Sequence, residues 1–438
     1  MSSKTKNTAT KEEAKPALVP KLRFPEFRGA EGWELLPLSR LATRTKQKNR
    51  DEKISRVLTN SAEFGVMDQR DFFEKDIATQ GNLESYFVVE LGSYVYNPRI
   101  SATAPVGPIS KNKIGTGVMS PLYTVFKFED DGYDYYEHYF KTTGWHTYMR
   151  QASSMGARHD RMAISSDDFM AMPLPVPSPD EQQKIAECLS SVDELIAAQA
   201  RKVDVLKTHK KGLMQQLFPT EGETQPRLRF PEFRNAGEWG DGELGAKASK
   251  IGSGITPTGG DKNYKPAGRP FVRSQNVGWG ILLLDDVAYI DEETHATFKS
   301  TEIKVSDVLL NITGASIGRS AVADERVAEG NVNQHVCIIR TKPNELSPFY
   351  LNQLLISKRG QKQIESFQAG GNRQGLNFAQ IRSFSVPLPP TLNEQHRIAS
   401  CLSSLDTLIT AETQKLDALK THKKGLMQQL FPAPAAVA

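Results

Sequence analysis

The 438-residue sequence has little of three things: cysteine, long apolar runs and net charge. Its three cysteines, Cys188, Cys337 and Cys401, are too few and too scattered to predict a disulfide framework or a metal site. No run of about 18 apolar residues occurs, so no membrane span is expected. The net charge of +4 is small for a protein that binds nucleic acid through one broad basic surface. We therefore expect a reduced, soluble, cytoplasmic protein in which any charged binding sites are local.

The sequence does contain a long internal repeat. Residues 206–219 read LKTHKKGLMQQLFP, and residues 419–432 repeat every letter 213 positions later. A second motif, LRFPEFR, occurs at residues 22–28 and again at residues 228–234. A fixed long period of this kind indicates duplication of a whole structural unit.

Each copy of LKTHKKGLMQQLFP ends a heptad pattern, in which apolar residues recur at alternating steps of three and four. This spacing is typical of helices that pack in a coiled coil. Ser178 and Thr391 each precede a glutamate by three residues, which predicts a capping box at each helix start. Phe-Pro ends both patterns, because proline cannot donate the next helical hydrogen bond. Two helices of roughly 60 Å are expected, at residues 178–219 and 391–432.

Polar residues interrupt both heptad patterns at matching positions and predict how the two helices pair. An antiparallel register with Lys210 opposite Glu412 and Gln199 opposite Lys423 aligns charges and apolar layers. The alternative is that each helix packs on a globular domain instead of on the other helix.

Between each LRFPEFR motif and the following helix lie about 150 residues with a mixed pattern. Short β-branched or aromatic runs, bounded by Gly, Pro and Asn, align between the halves at an offset of 214 and predict strands. The expected fold class is α+β, with two pseudo-repeated domains separated by two long antiparallel, coiled-coil-like α-helices. The predicted segments are a disordered tail at 1–21, a first domain at 22–177, a helix at 178–219, a linker at 220–227, a second domain at 228–390, a helix at 391–432 and a tail at 433–438.

This order of parts resembles the specificity subunit of a type I restriction-modification system, over about residues 22–432. The matching motifs are P-L-P followed by E-Q-x-x-I-A, at 173–186 and 387–399, and DVLL with TGASIGR within 307–319. The resemblance implies that each variable domain is a target recognition domain reading one half of a split DNA sequence. It further implies that the helices set the gap between the halves and bind two methyltransferase subunits, to which restriction/translocase subunits add. S-adenosylmethionine, ATP and magnesium are expected in those partners, and no catalytic residue, cofactor or metal is expected in this chain.

Candidate DNA-binding residues follow from the chemistry of base edges, which Arg, Asn, Gln, Ser and Thr can distinguish by hydrogen bonding. A G-x-R loop precedes the P-L-P motif in each half, and a second polar group follows a predicted strand. Ordinary surface or turn chemistry is the alternative for each residue. The candidates are Thr59, Asn60, Asn97, Arg99, Lys111, Lys113, Arg158, His159 and Arg161 in the first half, and Arg273, Ser274, Gln275, Asn276, Ser316, Arg319, Asn372, Arg373, Gln374 and Asn377 in the second.

Lysines of the exact repeat are candidates for binding a partner rather than DNA. Identical sequence at two places suggests one partner bound twice, and the resemblance identifies it as the methyltransferase subunit. A solvated helix face is the alternative. The residues are Lys207, Lys210 and Lys211, with their equivalents Lys420, Lys423 and Lys424.

Two other classes of function remain open at this point. An enzyme with fused recognition domains is one, but Tyr96-Asn97-Pro98-Arg99 lacks the second proline and the aromatic residue of an adenine methyltransferase loop. The GASIGRS run at 314–320 likewise lacks the length and the lysine of a phosphate-binding loop. The other class is a scaffold or antirestriction protein, which would share the fold without reading DNA.

Overall fold

The computed structural model describes residues 18–72, 83–131, 133–155, 160–368 and 375–432. The chain divides into two compact units, Met1–Ala198 with Leu416–Ala438, and Gln199–Lys415. Each unit therefore holds one variable domain, part of the long helix that follows it and part of the other long helix. The mixed helix and strand content confirms the expected fold class.

The variable part of the first unit is built on a four-stranded antiparallel sheet in the order β2-β9-β6-β7. Its buried face is aromatic: Tyr94 stacks on Phe126 with ring centroids 5.6 Å apart, and Phe128 stacks on Tyr136 of α2 at 4.1 Å. The strands are β1 Glu34–Pro37, β2 Ala42–Arg44, β3 Leu58–Ser61, β4 Gly65–Asp68, β5 Phe87–Val89, β6 Tyr94–Tyr96, β7 Ile109–Lys111, β8 Gly117–Met119, β9 Thr124–Phe128, β10 Ser154–Met155, β11 Met162–Ala163 and β12 Pro173–Val176. The helices are α1 Gln69–Phe72, α2 Tyr135–Phe140, α3 His146–Ala152 and α4 Ser166–Met170.

The second unit also contains a four-stranded antiparallel sheet, in the order β14-β20-β17-β18, and a three-stranded sheet, β16-β15-β19. Its core is mainly aliphatic, with Leu310, Ile339 and Leu354 fully or almost fully buried, and burial raises the pKa of the Cys337 thiol to about 12. The strands are β13 Gly240–Glu243, β14 Ala248–Ser253, β15 Arg269–Val272, β16 Ala288–Ile290, β17 Val308–Asn311, β18 Ser320–Val322, β19 Asn331–Val332, β20 Val336–Thr341 and β21 Ser385–Leu388. The shorter helices are α6 Leu244–Lys247, α7 Glu292–Thr297, α8 Pro348–Ile356, α9 Lys358–Ser366 and α10 Phe378–Arg382.

The two long helices are α5, Pro179–Leu217, and α11, Leu392–Leu430, each of 39 residues. Ser178 and Thr391 accept from the backbone N–H of the glutamate three residues on, at 3.4 and 3.3 Å. The capping box is incomplete, however, because both glutamate side chains bind an arginine and a tryptophan instead of turning back to the cap.

Within the second unit, the two long helices run antiparallel in a register that differs from the predicted one. Lys210 donates to Asp406 at 2.5 Å, and Gln199 and Lys202 both donate to Glu412 at 2.5–2.6 Å. The predicted partners were Glu412 for Lys210 and Lys423 for Gln199, so both expectations were wrong, by six and eleven residues, which bracket a shift of one heptad.

Charge explains why a neighbouring heptad register forms. Shifting an antiparallel pair by a heptad preserves the apolar layers, so polar contacts decide between the alternatives. The predicted register gave Lys423 only the amide of Gln199, whereas in the first unit Lys423 donates to Asp193 at 2.5 and 2.6 Å. Asp193 and Asp406 are repeat equivalents, so in the observed register Lys423 and Lys210 each pair with a carboxylate.

Two sequence expectations, one about the N-terminal tail and one about the P-L-P motifs, were wrong. Leu18 forms a β-bridge with Trp33, so residues 18–21 belong to the packed structure and not to a disordered tail; residues 1–17 lie outside the described ranges. Strand β12 is equivalent to β21, because Leu38 and Leu244 donate to the residue just before each strand. This pairing places P-L-P-V opposite S-V-P-L, two residues away from the predicted alignment of the P-L-P motifs.

Strands β6 and β17 lie at the predicted offset of 214 residues, and their backbone geometry confirms that they are equivalent. Gly92 and Ser306, 214 residues apart, precede these strands and both have positive φ angles, 84° and 71°. Asn97 directly follows β6, and Asn311, also 214 residues later, ends β17, and their amides donate to Asn60 O and Ser274 O at 2.9 and 2.8 Å. The two variable domains therefore share one framework here.

Candidate nucleic-acid interface

An exposed edge follows β6 in the first unit, where the chain pairs with residues just before β11. Met162 N donates to Pro98 O at 2.9 Å, Ile100 N donates to Asp160 O at 3.0 Å, and Arg99 forms an antiparallel bridge with Arg161. The loop that follows β6 is thereby fixed on its framework, and it presents arginine side chains outward.

The second unit builds the same edge after β17. Leu376 N donates to Ile312 O at 2.8 Å, and Thr313 bridges Gly375. All four residues lie 214 positions after their counterparts in the first unit. Thr313 Oγ1 is 2.5 Å from His335 Nδ1, so this side chain is held within the domain.

Candidate residues of the first unit separate into exposed and structural groups. Arg99 is exposed, and Asn97 and Arg161 are half-buried. Thr59 and Asn60 are buried, and the Asn60 amide donates to Val95 O at 2.7 Å, so they hold strands together and do not face a ligand. Arg158 and His159 lie outside the described residues.

The two candidate lysines of the first unit lie in an ion-pair cluster. Lys111 contacts Asp131 at 3.0 Å and Asp134 at 2.5 Å, and Lys113 contacts Asp134 at 2.9 Å and Glu137 at 2.5 Å. Their charges are compensated internally, which makes them weaker candidates for phosphate contact than the sequence suggested.

Candidates of the second unit separate in the same way. Asn276 is buried and donates to Leu283 O at 2.9 Å, while Arg273 and Gln275 both bind Asp286. Asn377 is exposed and caps α10. Ser274, Ser316 and Arg319 are half-buried, and Asn372, Arg373 and Gln374 lie outside the described residues.

The lysines of the exact repeat form two groups with different surroundings. Lys210 and Lys423 are largely buried in the ion pairs with Asp406 and Asp193, so the structure assigns them to helix pairing. The exposed group, at equivalent positions in the two copies, consists of Lys207, Lys211, Lys420 and Lys424.

The segment that opens each half, residues 18–33 and 228–239, is held to the start of a long helix by an arginine and a tryptophan that bind one glutamate. We call the three side chains the clamp and the segment the opening segment. The sequence analysis did not predict this clamp. Arg23 donates two hydrogen bonds to Glu181, at 2.8 and 2.7 Å, and Trp33 Nε1 donates a third at 3.1 Å. Arg229 and Trp239 bind Glu394 in the same way, at 2.7, 2.8 and 3.2 Å. The signal was present, since the arginine, tryptophan and glutamate recur together in both halves.

The opening segment also contacts the end of a long helix within each unit. Leu22 N donates to Gln429 O and Leu228 N donates to Gln216 O, both at 2.9 Å. Each segment therefore joins the first turn of one long helix to the last turns of the other, and this fixes the base of the variable domain.

One titratable group lies where α2 meets α5 in the first unit. His138 is buried with Nε2 3.1 Å from Ser190 Oγ. Burial lowers the pKa of His138 to about 4, and the nearby positive charges of Lys141 and Lys423 add to the effect. The imidazole is therefore neutral near pH 7.

The described part of the chain has no helix long and apolar enough to cross a membrane. Nor do its histidine, cysteine and acidic residues form a group of three placed to bind a metal ion.

Comparisons with known proteins show which proteins this chain is similar to. Residues 252–421 match the type I restriction modification DNA specificity domain. Two Methanocaldococcus jannaschii proteins are similar: the putative MjaX specificity subunit, 25% identical over 274 residues, and the MjaVIII specificity subunit, 24% identical over 331. These alignments cover 62% and 74% of this chain, and 61% and 74% of those proteins.

Solved structures agree with this family at the level of the fold. The S subunit of a type I system from M. genitalium matches with a TM-score of 0.57 at 14% identity, covering 95% of this chain and 99% of that one. A chain from a second type I system matches with a TM-score of 0.56 at 16% identity, covering 92% and 98%. The chain is thus similar to type I restriction-modification specificity subunits in part of its sequence and in its fold.

Proposed function

We propose that this chain selects the DNA targets of a type I restriction-modification complex, each recognition domain reading one half of a bipartite sequence. The observation that carries the proposal is the shared edge after β6 and β17. Pro98 and Ile312 accept equivalent backbone hydrogen bonds, yet the residues that follow them are Arg99 and Thr313. One backbone framework with different outward side chains suits two readers of unlike sequences better than one catalytic centre.

The recognition domains of this proposal occupy residues 22–177 and 228–390, and α5 and α11 set the gap between the half-sites. Two helices of equal length, 39 residues or about 58 Å, supply a fixed frame that does not depend on the variable loops. The loops can then change the sequence that is read without changing the gap.

DNA contacts are assigned to the exposed or half-buried candidates whose charge no carboxylate compensates, because a buried amide already bonded inside the domain has no free donor for a base edge. Lys111, Lys113 and Arg273 are left out, since each is paired with a carboxylate. The buried candidates support the loops instead. The residues retained for contact are Asn97, Arg99 and Arg161 in the first domain and Ser274, Gln275, Ser316, Arg319 and Asn377 in the second, while Arg158, His159, Asn372, Arg373 and Gln374 stay predictions.

The partners of this proposal are two methyltransferase subunits, with restriction/translocase subunits completing the complex in the cytoplasm. Lys207 and Lys211, with Lys420 and Lys424, present the same exposed sequence in each unit, which suits two copies of one protein. S-adenosylmethionine, ATP and magnesium belong to those partners, and this chain is non-catalytic.

Co-expression with the cognate methyltransferase, followed by single-molecule sequencing of genomic DNA, tests the proposal. The expected result is methylated adenine in a two-part motif with a fixed gap. Exchanging residues 40–170 for those of another specificity subunit should change one half of the motif alone. A stable complex that methylates nothing would instead indicate a scaffold or antirestriction protein.

A further inference from the structure

The edge after β6 differs from its counterpart after β17 in the side chains at one pair of bridged positions. The pair is Arg99 with Arg161 in the first domain and Thr313 with Gly375 in the second. Residues directly opposite in an antiparallel bridge project to the same face, with Cβ atoms about 5 Å apart. The two arginine side chains therefore start side by side on the domain surface.

The positive charges of this pair are poorly compensated. Among the described residues, the Arg99 guanidinium has no hydrogen-bond or ion-pair partner, and Arg161 reaches Asp160 only at 4.0 Å, with both side chains more than one-third exposed. Like charges directly opposite each other are destabilising. In the same domain Lys111 and Lys113 are each paired with two carboxylates, so these two lysines are compensated where the arginine pair is not.

We propose that Arg99 and Arg161 read guanine in the half-site of the first domain, each donating to O6 and N7 in the major groove. This inference rests on the proposed function. The planar guanidinium presents two parallel donors in a rigid fork that matches these acceptors, whereas the ammonium of lysine is a flexible point charge without that fixed geometry. In the second domain Gly375 has no side chain and Thr313 is bonded to His335, so this bridged pair has no counterpart of the two guanidinium groups.

Methylation-motif mapping with the full chain and its methyltransferase tests the assignment. Arg99→Ala and Arg161→Ala should each relax the preference for guanine at one position of one half-site by roughly tenfold or more. The other half-site and the gap should not change. Arg99→Lys, which keeps the charge, should partly relax the same position, because the rigid fork of two donors is lost.

A phosphate contact predicts a different pattern and would overturn the inference. In that case the alanine variants would methylate all targets more weakly with an unchanged motif, and Arg99→Lys would behave like the wild type. Thr313→Ala is the matched control at the equivalent position, and it should leave the guanine-containing half-site unaltered.

Failure of the inference is separable from failure of the proposed function. If the wild-type complex methylates no bipartite motif, the proposed function fails. If it does methylate one, but no guanine position responds to the Arg99 and Arg161 variants, the proposed function stands and the arginine assignment is wrong.

Discussion

The two units join the variable domain to the long helices with different polar groups on the same framework. Tyr135 and Tyr350 both donate to a proline carbonyl of the strand that precedes the long helix, at 3.3 and 2.6 Å. Three residues later the first unit has His138 and the second has Gln353, which donates to Asp406 at 2.9 Å. Duplication has therefore preserved hydrogen bonds that define the framework, while side chains beside it have diverged.

The clamp at the base of each domain is the opposite case, since both units keep the same three side chains. Glu181 and Glu394 are each 1% exposed and accept from an arginine and a tryptophan. A buried carboxylate with three donors constrains its neighbours, because losing any one partner leaves a buried polar group unpaired. This cost explains why the clamp has resisted divergence.

The largest expected effect comes from breaking the clamp. Glu181→Ala leaves the buried Arg23 guanidinium without its carboxylate, and Glu394→Ala does the same to Arg229. Each should lower the free energy of unfolding by roughly 3–5 kcal/mol. Hydrogen exchange measured by mass spectrometry should show lost protection mainly in the unit that carries the substitution.

Glu187→Ala is the matched control, since Glu187 lies on the same helix but is exposed and bonds only to Gln183 within the helix. Its effect should stay within about 0.5 kcal/mol. Equal loss of protection in both units after Glu181→Ala would contradict the independence of the two clamps.

Much of this frame was predictable from sequence, because repeats and heptads are local patterns. The mixed fold, the long helices and the strand equivalence of β6 and β17 all followed from short runs of residues. The helix register did not, because registers one heptad apart bury the same apolar layers, and the choice depends on which carboxylate reaches Lys210 and Lys423.

The candidate site was less predictable, because burial and long-range pairing are not written in local sequence. Asn60 and Asn276 have a residue type that suits base contact, yet their amides bond to backbone carbonyls in the interior. Arg99 and Arg161 were both candidates, but nothing in the sequence indicated that they face each other across a β-bridge. That juxtaposition depends on the fold of the whole domain.

The second-largest expected effect is on the pH dependence of stability, because the first unit has the titratable His138 where the second unit has Gln353. The folded pKa of His138 is about 4 against an ordinary 6.5, so the unfolded state binds a proton first as pH falls. The neutral histidine therefore contributes its full stability above pH 6.5, and this is lost as pH falls toward 4, by at most about 3 kcal/mol. His138→Gln should flatten the stability of the first unit across that window.

Denaturant unfolding at several pH values between 4 and 7.5 measures the difference between wild type and His138→Gln. Other groups titrate in both proteins and cancel in the comparison. His209→Gln, at an exposed histidine of α5, is the control and should leave the pH profile unchanged. A constant difference between wild type and His138→Gln at all pH values would show that His138 is not the source of the slope.

The smallest expected effect is a difference in stability between the two ion pairs that join the long helices, Lys210–Asp406 and Lys423–Asp193. Asp406 accepts from both Lys210 and Gln353 and its side chain is 21% exposed, whereas Asp193 accepts from Lys423 alone and is 41% exposed. Asp406→Asn should therefore cost about 2 kcal/mol and Asp193→Asn about 1 kcal/mol or less, because exposure weakens an ion pair. Asp417→Asn, at a well-exposed carboxylate of α11, should be nearly neutral in the same urea titrations. Equal losses of unfolding free energy at Asp406 and Asp193 would mean that the extra hydrogen bond from Gln353 adds no stability. The replacement of His138 in one unit by Gln353 in the other would then not affect the strength of the ion pair.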